Sequence, residues 1–393
     1  MDTLATLPPT RLEAMQPSAI RDVHDLGVRL RAQNPERHFI ALHFGEPDLG
    51  TPEFIVEAGC DALRNGAVFY ENNHGRADLR AALGEHFGLT PERFLVSSGA
   101  VQAICLTMLS VVRPGDDVIV VTPLWPNFTE AARMAGANIH EVPLRFNDNE
   151  RCFELDEKAI EATAASVDRL RMIIVNSPSN PTGWTITPVQ QQKLLALSQQ
   201  EDIYLVADEI YGRILAPNTT FESWNQYLSS FDKLLIINGF SKAYCMTGWR
   251  VGYVIGEPGL INEMGRMQEF VTSCAASAAQ VACITALRDG EAFVASCSER
   301  YQQLRELVSS RLAKLPGSTV ARTDGTFYIF FKLPGSEDSV QFCRELLTQT
   351  GVSLAPGKAF GAGGEGWLRM CFAKEPARLE EAIALIGDFL GTR

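Results

Sequence analysis

Nowhere do the 393 residues hold an apolar run of membrane length, so no spanning helix is expected. No two of the nine cysteines stand at Cys-x-x-Cys spacing. Scattered through apolar context, they read as reduced core thiols and not as a disulfide framework. The six histidines are equally dispersed, and no metal-ligand spacing emerges. Basic residues are in deficit, with 35 Lys and Arg against 47 Asp and Glu and a formal net charge of -12. That balance argues against a nucleic-acid surface. The N-terminus carries no secretion-signal pattern, and no repeat or low-complexity segment interrupts the chain. A cytoplasmic protein without membrane or nucleic-acid partners is the expectation. What is present in ordinary measure is apolar residue, at 46%, enough for a large core. The length suggests two domains, or one with an appendage.

From about Thr51 the pattern alternates. Short apolar runs rich in β-branched residues predict strands at 94–96, 118–122, 172–176, 203–208, 234–238 and 252–256. Helical patterns lie between most of them, as at 101–112, 127–135 and 188–199. Continuously apolar strands alternating with helices imply a mostly parallel sheet covered on both faces. Residues 256–289 read as largely helical and 291–315 as one long helix. Strands at 326–331 and 367–372 around a helix at 339–350 then suggest a smaller α+β domain. The expected division is an N-terminal arm over 1–45, a large domain over 46–285 and a small domain over 286–393. Pro8-Pro9 suggests an extended arm, and Pro17-Ser18-Ala19-Ile20-Arg21 a capped helix start.

The most informative segment is Phe240-Ser241-Lys242-Ala243-Tyr244-Cys245-Met246-Thr247-Gly248-Trp249-Arg250. Buried strands are expected on both sides of it. Desolvation lowers an amine's pKa and frees its lone pair for carbonyl chemistry. An arginine eight positions on suits a phosphate. A carbonyl and a phosphate on one small molecule describe pyridoxal phosphate. A snorkelling lysine with a structural arginine is the alternative.

In a parallel sheet, ligands sit beyond the carboxyl ends of the strands. After Phe94-Leu95-Val96 comes Ser97-Ser98-Gly99-Ala100-Val101-Gln102, a turn into a helix whose free amides favour a phosphate. Trp125 follows the strand ending at Thr122 and suits stacking on a flat ring or burial in the core. Asn176-Ser177-Pro178-Ser179-Asn180-Pro181-Thr182-Gly183 is a rigid loop, in which Asn180 is able to donate to a phenolate oxygen. Asp208 ends a wholly apolar strand and needs a partner, either a protonated pyridine nitrogen or a helix start that it caps. Tyr211, three residues on, is placed to reach a ring hydroxyl. Arg369 lies mid-strand between apolar neighbours, as a carboxylate clamp or a structural ion pair.

Taken together, these segments resemble the class I/II pyridoxal-phosphate-dependent aminotransferases of fold type I. The resemblance runs from Pro17 to Phe372. It rests on the Asn-Pro-Thr-Gly loop, the Asp-Glu-x-Tyr strand end, Ser-Lys with arginine eight later, and the C-terminal arginine, in that order. Gly45 within Phe44-Gly45-Glu46-Pro47-Asp48 matches too, as does Tyr70 with Gly75, Leu79 and Arg80 following. The resemblance implies that Lys242 holds the cofactor covalently and is the catalytic residue. It implies Asp208 at the ring nitrogen, Asn180 and Tyr211 at the ring oxygen, and Trp125 on the ring face. Arg250 with Gly99, Ala100, Val101 and Ser241 would hold the phosphate. Tyr70 would reach the phosphate of a neighbouring subunit, which implies a homodimer. Arg369, Asn180 and the Gly45 backbone would take the substrate α-carboxylate.

Two positions depart from the family pattern. Gly239 stands where many relatives have a phosphate-binding serine. Val101 stands where some that act on dicarboxylates have a lysine, which leans the amino donor toward a neutral or aromatic side chain. Ile20, Phe44 and Phe360 are candidates for an apolar substrate wall. The expected reaction is ping-pong transfer of an amino group between an L-amino acid and a 2-oxo acid. A carbon–sulfur β-lyase on the same scaffold is the alternative. A pyridoxal-phosphate-binding regulatory module is more remote, since fewer than fifty residues precede Gly45 and no basic face is evident.

Overall fold

A computed structural model describes Glu13 and residues 15–392. The expected arm at Pro8-Pro9 lies outside the described residues. The central element is a seven-stranded sheet. Its strands are β2 (Phe94–Ser97), β3 (Asp117–Thr122), β4 (Asn138–Pro143), β7 (Leu170–Asn176), β8 (Tyr204–Asp208), β9 (Leu234–Gly239) and β10 (Gly252–Ile255). Across the sheet they run in the order β2-β10-β9-β8-β7-β3-β4. Only β10 is antiparallel to its neighbours. Six strands therefore end at one edge, and β10 begins there.

The two faces of the sheet build two cores, because successive side chains of a strand point to opposite sides. Along β3, Ile119 and Val121 enter one core while Val118 and Val120 enter the other. The second core is closed by the helix Ala100–Val111 through Ala103, Ile104, Leu106 and Met108. Each fully buried Leu or Ile contributes roughly 1.5–3 kcal/mol through the area it removes from water. The helix Pro188–Gln200 starts where Thr187 and Gln190 cap each other, with proline at its first position.

A second unit holds an antiparallel sheet of β11 (Thr319–Val320), β12 (Tyr328–Lys332), β15 (Leu368–Cys371) and β14 (Ala355–Pro356). Its core gathers Phe327, Phe331, Phe342, Leu346, Met370 and Phe372 with the helices Glu291–Leu312, Ser339–Thr350 and Pro376–Gly391. The N-terminal segment joins this unit. Ser18 caps the helix Ala19–Gln33 by accepting from the Arg21 amide. The short strand β1 (Ile40–Ala41) then pairs in parallel with β13 (Val352–Ser353), and a separate antiparallel pair is formed by β5 (Arg145–Asn147) and β6 (Cys152–Glu154).

The six predicted strands of the large sheet all form, and the helices 127–135 and 339–350 match their observed limits. The expected helical stretch 256–289 is two helices, Pro258–Glu269 and Ser277–Asp289, broken around Ser273 at a positive φ of 62°. Strand β4 was not expected. Its sequence, Asn-Ile-His-Glu-Val-Pro, is mostly half-exposed at the sheet edge, and pairing with β3 makes it a strand where its own pattern does not. Among the described residues, no helix is long and apolar enough to cross a membrane, and no cluster of His, Cys, Asp and Glu is able to hold a metal ion.

Candidate active site

A cavity of about 550 Å³ opens at the strand-end edge, between the large sheet and the antiparallel unit. Lys242, Asp208, Asn180, Arg250 and Arg369 all line it, and so do Trp125 and Val101. Residues more than 150 positions apart thus converge: Asp208 closes β8, Val101, Trp125, Asn180 and Lys242 follow strands, Arg250 stands just before β10 and Arg369 lies within β15 of the antiparallel unit.

The Lys242 amine donates to the Gly45 carbonyl at 2.6 Å. Burial, above all, lowers its pKa to about 8, and the Arg369 and Arg250 cations push in the same direction. The side chain is half-buried by surface, since its tip faces the cavity. Such an amine is a far better nucleophile at neutral pH than an ordinary lysine.

Asp208 is buried at the end of β8. Its Oδ1 accepts from the Ile210 amide at 3.0 Å and its Oδ2 from Asn176 Nδ2 at 3.0 Å. Burial raises its pKa to about 7. Its hydrogen bonds come from amide donors alone, and the Lys242 charge acts on it only weakly, so this carboxylate is suited to a cation presented from the cavity. Asn176 also accepts from the Asn180 amide at 2.7 Å. It thereby ties the proline-rich loop to the acid, a role its place at a strand end did not disclose.

Asn180 Oδ1 accepts from Arg369 Nη1 at 2.8 Å, and Arg369 Nη2 donates to the His43 carbonyl. The guanidinium lies 4.4 Å from the Tyr328 ring and 4.9 Å from the Phe360 ring. Arg369 is buried, with its Nε unpartnered. A fork so held, without an internal carboxylate, is suited to receive one. Phe360 packs against Arg369 and is not in the cavity lining, whereas Ile20 and Phe44 are. The Tyr211 and Tyr328 hydroxyls meet at 2.7 Å, and burial lifts both phenols well above the usual range. Tyr328 escaped the sequence reading because Thr326–Phe331 reads simply as a strand.

At the other end of the cavity the chain leaves β2, turns at Gly99 with φ +81°, and enters the helix Ala100–Val111. A Cβ on Gly99 would run into the Arg250 guanidinium. Arg250 itself takes the left-handed conformation (φ 55°) and donates to the Thr247 carbonyl at 2.8 Å. Helix amides and a guanidinium face one another here, an arrangement suited to a phosphate. Gly239 has a physical explanation as well. A Cβ there would lie 3.0 Å from the Gly252 Cα and 3.1 Å from the Val251 carbonyl. Ser241 is buried in the cavity lining. Tyr70 is not part of the cavity: it is 95% exposed on the surface.

An amine poised for a carbonyl, a buried acid suited to a pyridinium, a phosphate cradle and a carboxylate fork fit pyridoxal phosphate and an amino acid. With the doubly covered sheet, they define a pyridoxal-phosphate enzyme of fold type I. Comparison with known proteins agrees. Residues 37–386 match the model of the family described as aminotransferase class I and II, and the chain belongs to that family. The chain is 33% identical to an aspartate aminotransferase of Thermotoga maritima, over 90% of this chain and 92% of that protein. It is 30% identical to an aromatic-amino-acid aminotransferase of Thermococcus litoralis, over 95% of each. A solved structure of a Thermus thermophilus aspartate aminotransferase mutant superposes with a TM-score of 0.88. That pair is 32% identical and covers 97% of this chain and 99% of that one. The protein is a pyridoxal-phosphate-dependent aminotransferase.

Proposed function

We propose that the protein moves the amino group of an L-amino acid with a neutral or aromatic side chain to a 2-oxo acid, with Lys242 as the catalytic residue. The observation that carries the reading is the Lys242 amine, with its pKa lowered to about 8, lining one cavity with the Asp208 carboxylate and the Arg369 fork. The cofactor supplies a carbonyl carbon for amine exchange and a ring that withdraws electrons from the substrate α-carbon. The chain does the rest. Asp208 would keep the proton on the ring nitrogen, while Asn180 and Tyr211 would bond the ring oxygen. Trp125 would cover the ring. Gly99, Ala100, Val101, Ser241 and Arg250 would hold the phosphate. Arg369, oriented by Asn180 and by the backbone at His43, grips the α-carboxylate, and the Gly45 backbone borders it. Lys242 Nζ would be the base that takes the substrate α-proton and gives it back.

Ile20, Phe44 and Val101 give the substrate side of the cavity an apolar wall, which supports the donor class. The aromatic-amino-acid specificity in the name of the Thermococcus litoralis relative is consistent with it. We place the protein in the cytoplasm as a homodimer in which Tyr70 enters the neighbouring site. Phe69, Tyr70, Phe270 and Val271 are all exposed, and the bond from Asn73 to Glu269 draws their two segments together. An apolar surface of that kind supports a contact with a second copy. We set the domain limits at 1–45, 46–285 and 286–393. The deciding experiment mixes the holoenzyme with single amino acids and follows the bound chromophore. Bleaching by neutral or aromatic amino acids, restored by a 2-oxo acid, is expected. Release of pyruvate and ammonia without an acceptor would point instead to a lyase.

A further inference from the structure

A second cavity, of about 210 Å³, shares the segment that carries Lys242. Successive residues of an extended chain point to opposite sides, and the end of β8 divides its two acids in that way. Asp208 lines the first cavity. Glu209, whose amide continues the ladder to the Ile237 carbonyl at 2.9 Å, lines the second. Gly239, Phe240, Ala243 and Tyr244, on either side of the lysine, line it as well. None of the side chains given above to the cofactor or the substrate does. The volume is of the order that accepts a benzene ring, about 150 Å³ in an apolar cavity.

Glu209 is 2% exposed. Its Oε1 accepts from the Trp224 amide at 2.6 Å, and its Oε2 accepts from the Ser223 hydroxyl at 2.8 Å. Two bonds leave about half of a carboxylate's acceptor positions open. Among the described residues no cation acts on it, and burial raises its pKa to about 7. The arginine of the lining, Arg213, is engaged elsewhere: its Nη2 donates to both carboxylate oxygens of Glu291 at 2.6 Å. Aromatic rings fill the remaining sides. The Tyr253 ring centre lies 6.0 Å from that of Phe87 and 5.8 Å from that of Phe240, both edge to face. Tyr253 is itself buried, and its hydroxyl makes no hydrogen bond among the described residues.

We propose that this second cavity binds a small organic ammonium ion, with its N–H on Glu209 and its alkyl groups against Phe87, Phe240 and Tyr253. A carboxylate with open acceptor positions supplies the charge-assisted bond, and ring faces attract the rest of a cation. A hard metal ion takes about six or more oxygens, and rings occupy those places here. The ligand is distinct from the substrate, which meets the cofactor carbonyl in the first cavity.

The probe is trimethylammonium, which keeps one N–H and, as a tertiary amine, does not condense with a carbonyl. Tert-butyl alcohol is a neutral counterpart of similar size. Binding of each to the holoenzyme is measured by calorimetry and by saturation-transfer NMR. Trimethylammonium should bind about tenfold or more the tighter, as expected of a charge-assisted bond in a desolvated site. In Glu209→Gln its Kd should rise about 10- to 100-fold, with tert-butyl alcohol little changed. Arg369→Lys, which alters the first cavity, should leave the Kd of trimethylammonium unchanged. An unchanged Kd in Glu209→Gln overturns the proposal. A rise in Arg369→Lys equal to that in Glu209→Gln places the ion in the first cavity and overturns it as well. If Glu209→Gln fails to fold, equal affinity of the unsubstituted holoenzyme for the two probes does so.

Discussion

Replacing Asp208 by asparagine separates two properties that one carboxylate combines. In the protein without cofactor, burial raises its pKa from 3.8 to about 7. The folded state then holds this proton more tightly than the unfolded chain does. Its contribution to stability is therefore intact below pH 3.8 and is lost as pH climbs to about 7. Roughly three pH units at about 1.4 kcal/mol each give a penalty of about 4 kcal/mol above pH 7. About two-thirds of that develops between pH 5 and pH 8. At this chain length it corresponds to a relative change in Tm of about 3 °C. Asp208→Asn removes the titration. It also disturbs one bond, because Asn176 Nδ2 and the Ile210 amide both donate to this side chain. That disturbance costs about 1 kcal/mol at every pH, so the slope carries the prediction and the offset does not. Glu209, which burial also lifts to about 7, titrates in both proteins; the Asp208 charge raises it further, so the variant also loses that smaller contribution, which acts in the same direction. Thermal melts of the two apoproteins from pH 5 to pH 8 should show the variant gaining on the parent as pH rises. A difference in Tm that does not vary with pH would refute the account of a buried, ionising acid. In the holoenzyme the same change should lower turnover by about two to four orders of magnitude, since an amide does not keep the ring nitrogen protonated.

Lys242→Ala should lose the visible band of the covalently held cofactor and several orders of magnitude in turnover; near-normal activity would remove Lys242 from its role. Gly99→Ala, at φ +81° and with its Cβ directed at the Arg250 guanidinium, should weaken cofactor binding about tenfold or more, read by absorbance titration of the apoprotein. Arg369→Lys keeps the charge and loses the planar fork held by Asn180 and His43. Its kcat/KM for amino acids should fall about 10- to 100-fold in steady-state assays, with cofactor affinity little affected.

The strand ends were legible in the sequence because burial on both faces leaves an unbroken apolar run, and a polar residue closing such a run is conspicuous. Asp208 and the loop at Asn180 stood out for that reason. The phosphate turn was legible because glycine stands between a strand and a helix. Other residues were hidden by ordinary context. Asn176 is the last residue of a strand, and only the fold brings it to Asp208 at 3.0 Å. Tyr328 looks like any aromatic in a β-run, and its place beside Arg369 depends on the pairing of β12 with β15. The polar edge strand β4 was hidden because its pairing partner, not its own residues, sets its conformation. Phe360 was expected in the apolar wall, yet the 3-10 turn Gly357–Phe360 points it at the arginine behind that wall.

The parallel pairing of Ile40–Ala41 with Val352–Ser353 stitches the beginning of the chain to its final third. The helix bearing Ile20 and the stretch from His43 to Gly45 thus belong with the small sheet that carries Arg369, while the lysine and its acid are anchored in the large one. Under the proposed roles, most of the choice of substrate and the keeping of the vitamin-derived group fall to different pieces of architecture, which meet at Asn180 and Val101. A mutation that retunes which acid is admitted at the entrance need not disturb the machinery beneath it, and this gives the scaffold freedom to acquire new specificities one end at a time.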